Sequence, residues 1–88
     1  MAPSPAVVPP NVLGQRLFAN PTYGIRVDNC LNWGTGCGKP AADYFCRLNG
    51  FASAQSFKTA AFRPTFVMGD RRICDVDGCI GFTEIVCQ

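Results

Sequence analysis

Apolar and polar residues alternate over two short stretches in the first third of the chain, with the period of a half-buried strand. Gln15 to Ala19 sets Leu17 and Ala19 opposite Arg16 and Phe18, and Tyr23 to Val27 sets Tyr23, Ile25 and Val27 on one face. Asn20-Pro21-Thr22 between them is a turn signal. Pro40 to Asn49 has the other period, that of a helix. Proline suits its first turn, Ala41 and Ala42 propagate well, and Gly50 stands where a left-handed residue closes a helix. Ala42, Phe45, Cys46 and Asn49 share one side, so Cys46 faces inward, while Asp43 and Arg47 make an i,i+4 pair outside. Further on, Ser56 to Thr59, Pro64 to Met68, Arg71 to Cys74 and Gly81 to Cys87 are expected as strands, with Gly69-Asp70 as a turn. The pattern predicts an α+β fold: a small antiparallel sheet with one helix packed across it.

Two stretches carry neither period. Residues 1–13 are rich in Pro, Ala and Val, which favours extended polyproline-like chain because proline fixes φ and removes donors. This segment is either a flexible leader or an arm that buries Val7, Val8, Val12 and Leu13 in a groove or against a sheet edge of its own or a neighbouring subunit. Residues 14–88 then form a single domain. Asn32 to Lys39, NWGTGCGK, is expected to be a glycine-rich loop around Cys37. It is not a phosphate loop, because the glycine spacing is wrong and Pro40 occupies the position of the magnesium-binding Ser/Thr.

Cysteine usage changes the picture most. A chain of 88 residues buries too little apolar surface for comfortable stability on its core alone, and this one has six cysteines. Cys30, Cys37, Cys46, Cys74, Cys79 and Cys87 predict three structural disulfides, each contributing about 2–4 kcal/mol, and an extracellular setting. Six cysteines allow fifteen pairings. Cys37 with Cys46 is excluded if they flank a helix, since nine residues at about 1.5 Å exceed the roughly 7 Å a disulfide spans. Joining the first three cysteines to the last three is the expectation, because it staples the helix segment to the C-terminal hairpin. Zinc is the competing use, but only Cys74 and Cys79 approach the close pairing of zinc ligands.

Charge and the remaining chemistry mostly exclude. Net charge is +2 with no basic stripe beyond Arg71-Arg72, so no nucleic acid is expected. No stretch is long enough for a membrane span, and MAPSPAVVPP lacks the layout of a secretory signal. Set beside the cysteines, this leads us to expect a secreted protein whose native signal has been removed. Asn20-Pro21-Thr22 is disqualified as a glycosylation site by its proline. There is no histidine, which removes the commonest general base and zinc ligand. Asp75-Val76-Asp77-Gly78 opens like a calcium loop but lacks the downstream glutamate, so an Asp-Gly turn between strands is expected. The carboxylates show no catalytic pairing, and the chain is expected to be neither an enzyme nor a cofactor binder.

Recognition is what remains. Trp33, the sole tryptophan, lies among Asn29, Asn32 and Thr35, with Tyr23 and Asp28 close in sequence. Aromatic faces beside amides and carboxylates suit a sugar, through ring stacking and directed hydrogen bonds. Trp33, Asn32, Tyr23 and Asp28 are the candidate ligand-binding residues. The competing role for Trp33 is that of the largest core side chain.

CLNWGTGCGKPAADYFCRLNGF, PTFVMGDRRIC and CIGFTEIVC resemble a group of small secreted cysteine-rich domains of plants and some bacteria with a CGxPAAxxFC motif. The similarity runs from about Asp28 to Cys87. It implies an extracellular, disulfide-bonded domain and supplies no ligand. The expectation is therefore a secreted, non-enzymatic module that binds a glycan or an extracellular protein. The alternatives are a structural subunit self-associating as a homo-oligomer through the arm, and a defence protein, for which +2 is a weak charge.

Overall fold

The structure, a computed structural model, describes residues 14–88; the arm with Val7, Val8, Val12 and Leu13 lies outside them. Its sheet is built on the C-terminal strand. This strand, β9 (Ile80–Cys87), buries Phe82, Ile85, Val86 and Cys87. Strand β1 (Arg16–Ala19) lies antiparallel on one side, with Leu17 opposite Val86, and β6 (Ala54–Ala61) lies antiparallel on the other, with Phe57 opposite Ile85. Beyond the end of β1, the Val27–Asn29 segment continues the row: Phe82 N–H donates to Val27 O (3.0 Å) and Asn29 N–H to Ile80 O (2.8 Å).

Helix α1 (Lys39–Leu48) packs on this sheet through Ala41, Ala42, Phe45 and Cys46, all buried, with Phe82 and Ile85 in the same core. Two small alanines on the inner face let the helix approach closely, and phenylalanines fill the flanks. Phe18 meets Phe45 edge-on at 5.1 Å, and Phe57 meets Phe82 edge-on at 5.5 Å. Asn49, expected on the inner face, is exposed at the helix end. The outer ion pair is Lys39–Asp43 (2.8 Å) instead of Asp43–Arg47, and Asp43 also accepts the Ala54 N–H, tying the helix start to β6.

Two expected elements take a different form. Tyr23 to Val27 is not one strand: β2 (Thr22–Tyr23) and β3 (Ile25–Arg26) pair with each other across Gly24, whose φ of 88° reverses the chain. Tyr23 therefore points outward while Val27 is buried. The glycine-rich stretch is a hairpin, β4 (Cys30–Asn32) and β5 (Thr35–Cys37), turning at Trp33-Gly34. A second hairpin, β7 (Thr65–Val67) with β8 (Arg72–Cys74), leans on the Val27–Asp28 segment, where Asp28 N–H donates to Phe66 O (2.9 Å).

All six cysteines are paired, as Cys30–Cys37, Cys46–Cys87 and Cys74–Cys79. Cys46–Cys87 fixes the inner face of α1 to the end of β9, as the inward position of Cys46 implied. The other two do not join the two halves of the chain. Cys30 and Cys37 stand directly opposite each other in one hairpin, and Cys74 and Cys79 close the short turn between β8 and β9. Local pairing brings each of these partners together before any long-range contact is needed. The fold is an α+β disulfide-rich domain.

Candidate functional site

A groove of about 330 Å³ opens between the β4–β5 hairpin and the β8–β9 turn. Trp33 and Gly34 form one wall, Val76 to Ile80 the other, and the disulfides Cys30–Cys37 and Cys74–Cys79 lie at the two flanks. Most of its surface is apolar, with Val67 below and Val76 and Ile80 partly open to solvent.

The hairpin that carries Trp33 is braced from behind. Leu31 O accepts the Gly69 N–H (2.7 Å), and the Trp33 N–H donates to the Asp70 carboxylate. A Cβ on Gly69 would fall 2.6 Å from Asn32 Oδ1 and collide with the Leu31 carbonyl, so only glycine permits this approach. The Arg72 guanidinium lies over the Trp33 ring at 4.4 Å. Trp33 is thereby held in place while 42% exposed, and it is not a core residue.

Of the expected site residues, Trp33 and Asp28 reach this groove. Asp28 is only 6% exposed and its oxygens are engaged, one by the Thr65 hydroxyl and the other by the Cys30 N–H (2.8 Å). Its carboxylate positions the start of β4. Asn32 is half-buried and turned toward Gly69, outside the groove walls. Tyr23 is 55% exposed and lines a separate depression, its ring stacked on Phe66.

The polar groups at the groove rim are instead Asn29 and Asp77. Asn29 Nδ2 makes only a long contact to Cys30 Sγ (3.7 Å), and its side-chain Oδ1 has no partner among the described residues. Asp77 accepts from Arg63 Nη1 (2.8 Å), and Arg63 also approaches Asp75 (3.5 Å). These exposed ion pairs link Arg63 to the β8–β9 turn, and no group of metal-ligating side chains forms among the described residues. Sequence periodicity had no means of finding Val76 or Arg72. The one available signal was an apolar residue between two aspartates, a position no core requires.

Comparison with protein-family models, with curated proteins and with solved structures yields no match in any of the three.

Proposed function

We propose that this protein is a secreted recognition module, not an enzyme, and that the groove beside Trp33 takes a saccharide. The carrying observation is the exposed, braced ring of Trp33 above an apolar floor, with an amide and a carboxylate at the rim. Sugars present apolar ring faces and peripheral hydroxyls, and a fixed aromatic platform flanked by hydrogen-bonding groups complements both. The volume lies at the small end of ligand pockets. Three disulfides, and the likeness of Cys37–Cys46 to the motif of small secreted cysteine-rich domains, support an extracellular setting.

Because Trp33 is the sole tryptophan, its fluorescence reports on this groove alone. Titration with short oligosaccharides of cellulose, chitin and xylan should shift the emission for one class and leave it unmoved for others. Trp33→Ala, checked for three intact disulfides by mass, should lose that binding. Unchanged affinity in the folded variant would overturn the reading. An extracellular protein partner remains the other ligand for the same apolar centre and polar rim.

A structural subunit is the second reading. Among the described residues strand β6 has a neighbour on one side only, which leaves its outer edge as a candidate for pairing. Lys58 and two register shifts along β6 are features that discourage such pairing, which places this reading second. Equal, monomeric size with and without residues 1–13 would exclude assembly through the arm.

A further inference from the structure

We propose that the depression around Tyr23 is a second saccharide site, built to recognise the hydroxyls of a neutral sugar. The inference rests on the protein being a glycan-recognition module, but it uses none of the residues of the Trp33 groove. The depression measures about 430 Å³ and is walled by β1, the Asn20–Tyr23 turn and the end of α1. Polar atoms dominate it, in contrast with the apolar groove.

Two amides in its walls are each anchored at one end. Asn20 sits at a φ of 49° and donates its N–H to Thr83 O (2.8 Å). Its Oδ1 accepts from Arg26 Nη1 (3.0 Å), and Arg26 is itself held by Phe82 O (2.9 Å). Among the described residues Asn20 Nδ2 has no partner, so two N–H donors are presented in a set orientation. Asn49 is the complement. Its Nδ2 donates to Phe45 O (2.9 Å), and among the described residues its Oδ1 is left as an acceptor. A donor amide and an acceptor amide, each already ordered, can bind hydroxyls with little further loss of side-chain freedom.

Tyr23 supplies the apolar platform. Its ring stacks on Phe66 at 5.6 Å with an interplanar angle of 26°, which covers one face and restrains the ring while Tyr23 stays 55% exposed. Among the described residues Arg16 is the only charged one in the walls, and its guanidinium lies over the Phe18 ring at 4.4 Å. With no carboxylate and a single, already engaged cation, the depression favours neither a cationic nor a strongly acidic ligand. A polysaccharide reaching both sites would bind more tightly than an oligosaccharide occupying one.

The test is an amide-resolved NMR titration of the isotope-labelled protein with the same cellulose, chitin and xylan oligosaccharides, run alongside Trp33 fluorescence. The expected result is a shift of the Asn20 and Asn49 side-chain amide signals that saturates independently of the Trp33 response. Tyr23→Ala should abolish those shifts, leave Trp33 quenching intact and weaken polysaccharide binding by at least about tenfold. Tyr23→Phe should keep them, and Trp33→Ala should not affect them. Oligosaccharides that quench Trp33 without moving either side-chain amide would overturn the second site and leave the first. Amide shifts without any Trp33 response would support the second site and overturn the groove reading. No response at either probe overturns both.

Discussion

At the residue scale, position decides whether a polar side chain is structural or available. Asp28 shares the sequence neighbourhood of Trp33, yet both of its oxygens face inward to Thr65 and Cys30. Asp28→Ala strands the buried Thr65 hydroxyl and the part-buried Cys30 N–H, and should cost about 1–3 kcal/mol for each donor left unpaired. Asp28→Asn should cost less, since the Thr65 hydroxyl can rotate to accept from the new amide. Chemical denaturation of the two variants checks the order. Any saccharide affinity measured through Trp33 should survive in folded Asp28→Asn, because the carboxylate is not presented to the groove. Loss of affinity in an Asp28→Asn variant that remains folded would return Asp28 to the site.

At the scale of elements, the three disulfides have different duties. Cys46–Cys87 closes a separation of 41 residues and joins helix to central strand, whereas Cys30–Cys37 and Cys74–Cys79 close separations of 7 and 5 within single turns. Loop-closure entropy alone predicts about 4 kcal/mol for the first and about 2 kcal/mol for each of the others. Paired Cys→Ala replacement at 46 and 87 also empties a buried site, so it should approach loss of the fold. Replacement of Cys30 and Cys37 should leave a folded domain, detectable by cooperative melting, with a loosened Trp33 hairpin. Gly69→Ala attacks the same hairpin from behind. The added methyl forces the β7–β8 turn away from Leu31 and Asn32, and the expected outcome is a loss of about 1–3 kcal/mol together with a changed Trp33 emission.

At the scale of the whole molecule, the absence of histidine leaves little to titrate near neutrality, and stability should be flat there. Acid is different. Burial pushes the Asp43 carboxyl up, but hydrogen bonds from Lys39 and the Ala54 N–H, with the Lys39 and Arg47 charges, outweigh it and hold its pKa below the usual carboxylate value. A depressed folded pKa gives stability that is complete above the unfolded value of about 3.9 and is lost as pH falls through the folded one. Asp43→Asn should therefore be less stable than the parent at neutral pH, with a shallower decline below about pH 4. Superimposable acid limbs for the two proteins, followed by thermal melts, would exclude this role.

Much of this molecule is written in local pattern. The helix from Lys39 to Leu48, the strand that ends at Cys87 and the use of all six cysteines in disulfides follow from periodicity, from Pro40 and Gly50, and from cysteine density in a short chain. These depend on near neighbours or on composition. The cysteine partners and the placement of Trp33 and Tyr23 did not follow, because they depend on where the chain reverses. One glycine, Gly24, folds an apparent strand back on itself and sends Tyr23 outward, and the Trp33-Gly34 turn sets Cys30 against Cys37. Alternation along a strand says which side chains share a face, but not which other segment meets that face. That choice is made when β9 collects β1, Val27–Asn29 and β6 around the buried Phe82 and Ile85, and it is this packing that separates the two grooves.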